Sequence, residues 1–279
     1  MLEYVNIYGD ILNDFSMKVE SNLGILGQRD SGKEEIIFYT LLLKKPKKGK
    51  ILLNGNEIKE DNVNDIRWKE ISAVFYNPYS MFNPIYNIAS HFAEIVMSHD
   101  IGDYNFAVDI AKEFIKILGL DSSVLEKFSY QLTPLEAKKV TLALATFLEP
   151  KYVLIDDIEF GINDNGRAVV INSIIDLESI VSSKFIVLDN DPAVISRVSD
   201  EFVVLYKGKI IERGSNVSEV YHPYTLDLLR GEISTNYLGK GCPYSDNCRY
   251  SSLKCKEKEP EEIKVGNNYV KCLLYSWLK

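Results

Sequence analysis

The segment LGILGQRDSGKEE, residues 23–35, decides the fold of this chain. A short apolar run ends at Gly27, four residues intervene, and Gly32-Lys33 opens a new apolar segment, which is the G-x-x-x-x-G-K spacing of a phosphate-binding loop. In such a loop backbone N–H groups close around phosphate oxygens at a helix N-terminus, and the lysine reaches the β- and γ-phosphates. The segment therefore predicts a strand, a nucleotide-binding loop and a helix, in this order.

Two acidic residues depart from the usual chemistry of this loop. Glu34 stands where a hydroxyl would hold Mg²⁺, and Asp30 lies inside the loop. A carboxylate about 4 Å from a phosphate charge costs up to roughly 4 kcal/mol at an effective dielectric near 20, unless a metal ion lies between them. Two hypotheses stay open: Glu34 as a ligand of Mg²⁺, or a loop that binds ATP weakly. We predict that nucleotide is bound by Gly27, Asp30, Ser31, Gly32, Lys33, Glu34, Glu35 and Asp156.

Composition and charge exclude several classes of protein. The chain has 279 residues, of which 46% are hydrophobic, and a formal net charge of −8. That composition is typical of a globular protein, and the negative charge argues against nucleic acid as the main ligand. No apolar run is long enough for a bilayer and the N-terminus lacks a signal-peptide pattern, so we expect a cytoplasmic protein.

The order of the remaining elements predicts an α/β fold. Leu23–Leu26 and residues 152–155 have the apolar character of buried strands, and the second of these runs ends in Asp156-Asp157. Helical periodicity extends over residues 88–128, and Thr133-Pro134 predicts the start of a further helix. Carboxylates at the carboxyl end of a buried strand are typical of metal and ligand sites in α/β sheets. Other predicted strands and hairpins span residues 2–8, 14–20, 50–58, 71–75, 185–188, 201–206 and 209–212, and other predicted helices span residues 34–43 and 137–147.

The chain resembles the ATP-binding subunits of ABC transporters, within the oligopeptide, dipeptide and nickel importer group. The most specific matches are residues 75–84, similar to F-Q-D-P-x-S-x-L-N-P, the His222-Pro223-Tyr224-Thr225 stretch, and Gly241-Cys242-Pro243 at the head of a cysteine-bearing tail. The resemblance implies an ABC-type domain over residues 1–220, with a RecA-like core, a β-rich edge and a helical subdomain at about 87–149. Residues 221–279 are expected to form a C-terminal extension.

Several catalytic positions of the resembled family carry other residues here. The Q-loop glutamine falls on Tyr76, the L-S-G-G-Q/M signature on residues 132–136 with Pro134 and Glu136, and the switch histidine on Asn190. Asp156 matches the Walker B aspartate, whereas Asp157, one methylene shorter, takes the place of the catalytic glutamate. The resemblance therefore implies a degenerate copy, and we assign no catalytic residue.

The resemblance also implies partners. Subunits of this family stack head to tail, so we expect a second, competent ABC ATPase subunit, two membrane permease subunits and, indirectly, a substrate-binding protein. The subunit would be peripheral on the inner face of the cell membrane, with Tyr76, Tyr79 and Phe82 as anchors for a permease helix. Two alternatives stay open: a self-sufficient ATPase that uses Glu34 and Asp157 as substitute ligands, and a scaffold protein without nucleotide.

All four cysteines lie in the last forty residues, at Cys242, Cys248, Cys255 and Cys272. Four thiolates in a loop-rich segment suit a zinc ion or an iron–sulfur cluster, and the absence of a C-x-x-C pair speaks mildly against structural zinc. The resemblance implies a [4Fe–4S] cluster held by all four. Zinc and four reduced thiols without metal stay open as alternatives.

Overall fold

A computed structural model describes residues 1–231 and 241–278. Part of the predicted C-terminal extension, residues 232–240 and 279, lies outside the described residues. The strands of the described residues are β1 (Leu2–Tyr8), β2 (Phe15–Val19), β3 (Leu23–Leu26), β4 (Lys48–Leu53), β5 (Asn56–Glu57), β6 (Ile71–Val74), β7 (Tyr152–Asp156), β8 (Lys184–Asp189), β9 (Glu201–Tyr206), β10 (Lys209–Gly214), β11 (Ile263–Val265) and β12 (Asn268–Val270).

The helices of the same residues alternate with these strands along the chain. They are α1 (Lys33–Thr40), α2 (Val63–Ile66), α3 (Ile88–Ser98), α4 (Tyr104–Ile117), α5 (Pro134–Thr146), α6 (Asp164–Ile180), α7 (Pro192–Val198), α8 (Pro223–Leu229) and α9 (Leu253–Glu257). Short 3₁₀ turns occur at Pro78–Met81, Ser122–Glu126, Ser129–Gln131 and Leu273–Leu278. In the described part of the chain, no helix combines the length and the apolar character that a bilayer crossing requires.

The chain forms two compact units. Unit 1 consists of Met1–Ile58 together with Leu188–Lys279, and unit 2 consists of Lys59–Val187. Unit 1 therefore contains both the phosphate-loop segment and the cysteine-bearing tail, although more than 200 residues separate them in sequence. The domain boundary at residue 220, which the resemblance implies, stays a prediction.

Unit 1 contains an antiparallel sheet with the strand order β2-β1-β4-β5. Leu2 of β1 lies opposite Val19 on one side and opposite Leu53 on the other, and all three side chains are buried. Asn54 and Gly55 link β4 to β5 with φ angles of 52° and 82°. Positive φ at both positions is the requirement that favours Asn-Gly in tight hairpins, and the predicted hairpin is confirmed.

A second sheet of unit 1 positions the phosphate loop. Its strands run in the order β11-β12-β10-β9-β3, and the end of β8 lies beside β3. β3 pairs in parallel with β9, placing Ile25 opposite Val203, and all four residues of β3 are buried. A strand that is buried on both faces gives the continuous apolar run seen in the sequence. The predicted strand Leu23–Leu26 is confirmed at both ends.

Unit 2 contains a parallel arrangement of β6 and β7, with Ile71 opposite Tyr152, and the helices α3 to α6. Within this unit the Lys184 N–H at the start of β8 donates to the Lys151 carbonyl. The predicted helical region divides into α3 and α4 followed by a 3₁₀ turn, because Asp100 has a φ of 54° and ends the first helix. The structure also contains α6, a helix that we did not predict.

Two helix boundaries show which local signals were informative. Thr133 caps α5 and Pro134 is its first residue, as predicted, and the helix ends at Thr146, one residue before the predicted end at residue 147. The predicted helix 34–43 is wrong at its C-terminal end, because α1 ends at Thr40 and Leu42 has a φ of 50°. A leucine in the left-handed region is uncommon, and the residues around Leu42 do not indicate this conformation.

The cap of α5 generates a stability prediction. The Thr133 Oγ accepts a hydrogen bond from the Glu136 N–H (3.2 Å), and the Glu136 carboxylate accepts one from the Thr133 N–H (2.8 Å). Thr133→Ala removes the first of these bonds, so we expect the free energy of unfolding to fall by about 1 kcal/mol in urea titrations. Thr133→Ser keeps the hydroxyl and is the matched control. Equal stability of the alanine and serine variants would contradict the role of the cap.

Candidate nucleotide-binding site

The loop between β3 and α1 requires glycine at two positions, as the sequence predicts. Gly32 immediately precedes α1 with a φ of 98°, in the left-handed region that glycine adopts without strain. A Cβ on Gly27 would lie 2.6 Å from the Ser31 Oγ and 2.9 Å from the Leu205 carbonyl oxygen. Glycine is therefore required at both ends of the loop, for conformation at Gly32 and for space at Gly27.

Lys33 is the most informative side chain of this loop. It is the first residue of α1 and only 4% exposed. Over residues 1–231 and 241–278, its ammonium group makes no hydrogen bond or ion pair. Burial of a cation is unfavourable unless an anion or hydrogen-bond acceptors compensate it. Beside a helix N-terminus, where backbone N–H groups favour anions, a phosphate is the natural counter-charge.

The acidic residues of the loop are not packed against this lysine. Asp30 and Glu34 are both exposed. Glu35 is buried, and its carboxylate accepts hydrogen bonds from the N–H groups of Asp10, Ile11 and Leu12, at 2.9 to 3.2 Å. Its side chain therefore fixes the turn after β1. The predicted contacts of these three residues with nucleotide stay predictions.

The end of β8 lies next to the phosphate loop in unit 1. The Gly27 N–H donates to the Asp189 carbonyl at 3.2 Å, and the Asp189 side chain is fully buried. Asn190 is the next residue, so the predicted switch position lies beside the loop. The neutral amide of Asn190 can donate a hydrogen bond to a phosphate, but it cannot carry the positive charge of a histidine.

The Walker B positions lie in unit 2, at the carboxyl end of β7. Asp156 is its last residue and is half-buried. Asp157 has a φ of 52°, and its Oδ1 accepts a hydrogen bond from the Glu159 N–H at 2.7 Å. The carboxylate at the position of a catalytic base is thus engaged in a local turn, of the kind that Asp commonly forms with the backbone two residues on.

Glu136 is the charged residue among the signature positions, residues 132–136, and its carboxylate has partners within unit 2. The Thr133 hydroxyl donates to the Glu136 carboxylate at 2.9 Å, and the Lys127 ammonium donates to the same carboxylate at 2.9 Å. The Lys127 ammonium, followed by the Thr133 N–H, lowers the pKa of Glu136. Glu136 is therefore ionised at neutral pH, but Lys127 offsets its charge.

The aromatic residues after β6 differ in exposure. Tyr76 is 41% exposed and packs edge-on against Phe160 at a centroid distance of 5.2 Å. Tyr79 is half-buried, and its hydroxyl donates to the Leu132 carbonyl. Phe82 is buried against His91, so the expectation that it offers an exposed anchor is wrong. Of the three aromatic anchors predicted, Tyr76 is the exposed one.

Lys138 is a buried cation that the sequence analysis missed. It lies on α5 and is fully buried, and its ammonium donates to the carbonyls of Phe75 and Tyr76 (3.3 Å each) and Asp157 (2.7 Å). It thus joins the start of the Tyr76 loop to the turn after β7, both in unit 2. The adjacent Lys138 and Lys139 before an apolar helix pattern were the available signal, but the partners of Lys138 are distant in sequence.

The four cysteines of the tail line one small cavity in unit 1 together with His222. Burial raises the pKa of Cys242 to about 12 and that of Cys272 to about 11. Within the described residues, however, no three His, Cys, Asp or Glu side chains form a group that could hold a metal ion. The thiols thus line a common space, but the described residues do not assemble them as a metal-binding group.

Comparison with known proteins shows one family to which the chain is similar. The ABC transporter family model matches residues 12–158. The dipeptide transport ATP-binding protein DppD of Caldanaerobacter subterraneus is 26% identical, over 90% of this chain and 86% of that protein. The oligopeptide transport ATP-binding protein AppF of Bacillus subtilis is also 26% identical, over 94% of this chain and 88% of that protein.

A solved structure supports the fold. The dimeric ATP-binding cassette MJ0796 bound to ADP and Pi superposes with a TM-score of 0.67, over 77% of this chain and 98% of that one, at 17% identity. The predicted α/β P-loop fold of ABC ATPases is therefore confirmed. The cysteine-bearing C-terminal extension of this fold stays a prediction.

Lys138 generates a prediction for unit 2. Lys138→Met leaves three carbonyl groups without their buried donor, so we expect the free energy of unfolding to fall by about 1–3 kcal/mol in urea titrations. Lys139→Met is the matched control, because the neighbouring ammonium donates to one carbonyl, that of Leu118. A loss no larger for Lys138→Met than for Lys139→Met would show that the three bonds do not stabilise this region.

Proposed function

Because the chain belongs to the ABC transporter family and is homologous to the ATP-binding subunits of oligopeptide and dipeptide importers, we propose that it is a degenerate nucleotide-binding subunit of such an importer. It binds ATP but hydrolyses it slowly or not at all. A competent ATPase subunit, paired with it, supplies the hydrolysis that is coupled to substrate uptake.

The almost fully buried side chain of Lys33 is the observation that supports nucleotide binding. A chain that had lost its ligand would be expected to expose this lysine or to pair it with a neighbouring carboxylate. Neither is found in the described ranges, where Lys33 is 4% exposed and Asp30 and Glu34 are directed to solvent. The β- and γ-phosphates of ATP, with Mg²⁺ to offset the two nearby carboxylates, are the counter-charge that this arrangement accepts.

Weak hydrolysis is supported by the residues at the catalytic positions. Glu34 replaces the hydroxyl that would bind Mg²⁺, and the carboxylate of Asp157 accepts a backbone N–H in its own turn. Displacement of the attacking water by about 1 Å lowers the rate of hydrolysis roughly a hundredfold. Asn190 adds no positive charge for the transition state. Pro134 further removes a backbone donor from the signature that would face a partner's nucleotide.

The proposed assembly follows from the same premise. The subunit pairs with an intact ATPase subunit, and the pair docks on two permease subunits at the inner face of the cell membrane, with a substrate-binding protein on the other side. Tyr76, which is exposed beside Phe160, is proposed as the anchor for the permease. Aromatic side chains that are exposed in free subunits are frequent anchors at such contacts.

We further propose that the four cysteines hold a [4Fe–4S] cluster, with zinc as the alternative. Cys242, Cys248, Cys255 and Cys272 line one cavity, and three of the four come from loop or turn segments. A tetrahedral zinc ion would bring its four sulfurs to about 3.8 Å from one another, whereas cysteines that bind different irons of a cluster lie farther apart. The Gly241-Cys242-Pro243 head of the tail, which resembles that of the importers, favours the cluster over zinc. When bound, the group cross-links the extension.

Thermal unfolding with and without ATP tests the proposed nucleotide site. With ATP at a hundred times its Kd the wild-type chain should gain about 2.7 kcal/mol of stability, visible as a rise in Tm. Lys33→Ala should abolish the rise, because the phosphates lose their cationic partner. Lys116→Ala, on the exposed face of α4, is the control and should keep it.

Three outcomes separate the proposal from its rivals. Absence of any ATP-dependent rise in the wild-type Tm would favour a scaffold without nucleotide. Sustained release of phosphate by the isolated chain, lost in Lys33→Ala, would favour a self-sufficient ATPase. A rise without phosphate release supports the degenerate subunit.

Metal content tests the cysteine proposal. We expect anaerobically purified protein to absorb near 400 nm, with about four irons per chain, and we expect Cys242→Ser and Cys272→Ser each to reduce both signals. Ser245→Ala, a buried residue of the same cavity that is not a thiol, is the control. A colourless protein with one zinc per chain, or one without metal, would contradict the cluster.

A further inference from the structure

Three buried tyrosines of unit 1 form a cluster that the proposed nucleotide site does not explain. Tyr206 of β9, Tyr224 of α8 and Tyr244 of the extension are each at most 2% exposed. Their ring centroids lie 4.3 Å (Tyr206 to Tyr224), 5.3 Å (Tyr224 to Tyr244) and 5.5 Å (Tyr206 to Tyr244) apart. We refer to these three residues as the tyrosine cluster. Rings in such edge-on and tilted contacts stabilise one another and hold fixed positions.

One member of the cluster contacts the phosphate loop. The Tyr224 hydroxyl donates a hydrogen bond to the Gln28 Oε1 at 3.2 Å. Gln28 directly follows Gly27 inside the loop, and its carbonyl accepts the Ser31 N–H at 3.2 Å. A long amide side chain on a loop is free to change rotamer unless a partner holds it. Tyr224 supplies that partner from a buried, packed ring.

The same tyrosine is positioned by a residue of the cysteine cavity. The Nδ1 of His222 accepts the Tyr224 N–H at 3.1 Å, and its Nε2 lies 4.0 Å from the Cys242 Sγ. His222 lines the cavity beside all four cysteines. The buried carboxylate of Glu212 accepts the N–H groups of Tyr221 (2.7 Å) and His222 (3.0 Å), which fixes the start of this segment.

We propose that Tyr224 is a positioning residue for the phosphate loop, and that it makes the affinity of this loop for ATP depend on the state of the four cysteines. The route runs from Cys242 through His222 and the backbone of Tyr224 to its hydroxyl and Gln28. The inference rests on the proposed nucleotide binding, because it concerns the affinity of that same loop. Coupling between two sites is reciprocal, so ATP must also alter the cysteine cavity.

Equilibrium binding of ATP tests the positioning role. Tyr224→Phe keeps the ring and removes only the hydroxyl, so we expect the Kd for ATP to rise about 2- to 10-fold. Tyr244→Phe is the matched control: it removes the hydroxyl of another cluster member, which donates to Asp227 at 2.7 Å and makes no contact with Gln28. Its Kd should equal that of the wild type. An unchanged Kd in Tyr224→Phe would overturn the role.

A double-mutant cycle separates positioning from a general effect on stability. If Tyr224 acts through Gln28, the double variant Gln28→Ala, Tyr224→Phe should have the same Kd for ATP as Gln28→Ala alone. The effects of the two substitutions on binding are then not additive. A purely structural role of the hydroxyl would give the same weakening in both backgrounds. Additive effects would therefore overturn the proposal.

Thiol reactivity tests the link to the cavity. All four cysteines of the chain line this cavity, so a thiol reagent reports on it alone. In protein stripped of metal with a chelator, saturating ATP should slow the reaction with 5,5′-dithiobis(2-nitrobenzoate) by about twofold or more, since ordering of Gln28 restrains Tyr224 and His222. The effect should disappear in Tyr224→Phe and persist in Tyr244→Phe.

The outcomes distinguish this inference from the proposed function. If the wild-type chain shows no ATP binding, the proposed function fails and the inference fails with it. If ATP binds to the wild type but leaves the thiol rate unchanged, or slows it equally in Tyr224→Phe, only the link to the cysteines is overturned.

Discussion

The nucleotide site depends on Lys33, a lysine with an almost fully buried side chain whose ammonium has no counter-charge within residues 1–231 and 241–278. Two glycines make this burial possible: Gly32 adopts a φ of 98° at the start of α1, and Gly27 leaves room for the Ser31 Oγ. An unpaired cation in a folded interior lowers stability, whereas the same cation facing a phosphate increases affinity. The proposed nucleotide binding therefore rests on this lysine and on the glycines that shape the loop.

Three carboxylates at or near the predicted functional positions have local partners. Glu35 accepts three N–H groups of the turn after β1, and Glu136 pairs with Lys127 at 2.9 Å. Asp157 accepts the N–H of Glu159. Each of these carboxylates has a partner close to it in its own unit, so the negative charges are compensated by the fold.

Much of the fold could be predicted from local patterns, and the unpredicted parts have a common physical origin. Strand β3, the Asn54-Gly55 turn and the Thr133 cap depend on residues adjacent in sequence, and the patterns at these positions were correct. The C-terminal end of α1 depends on Leu42 in the left-handed region, for which the residue type gives no signal. Long-range contacts were equally unpredictable: Lys138 reaches carbonyls 63 and 62 residues away, and Tyr224 reaches Gln28 across 196 residues.

We propose that the chain retains the groups that bind a triphosphate and lacks those that cleave it. The most direct test of this proposal is to incubate the purified chain with labelled ATP and Mg²⁺, isolate the complex, and measure both the amount of bound nucleotide and the fraction converted to ADP over time. We predict about one nucleotide per chain, retained as ATP and released as ATP. Rapid conversion of the bound nucleotide to ADP, or no bound nucleotide at all, would contradict the account.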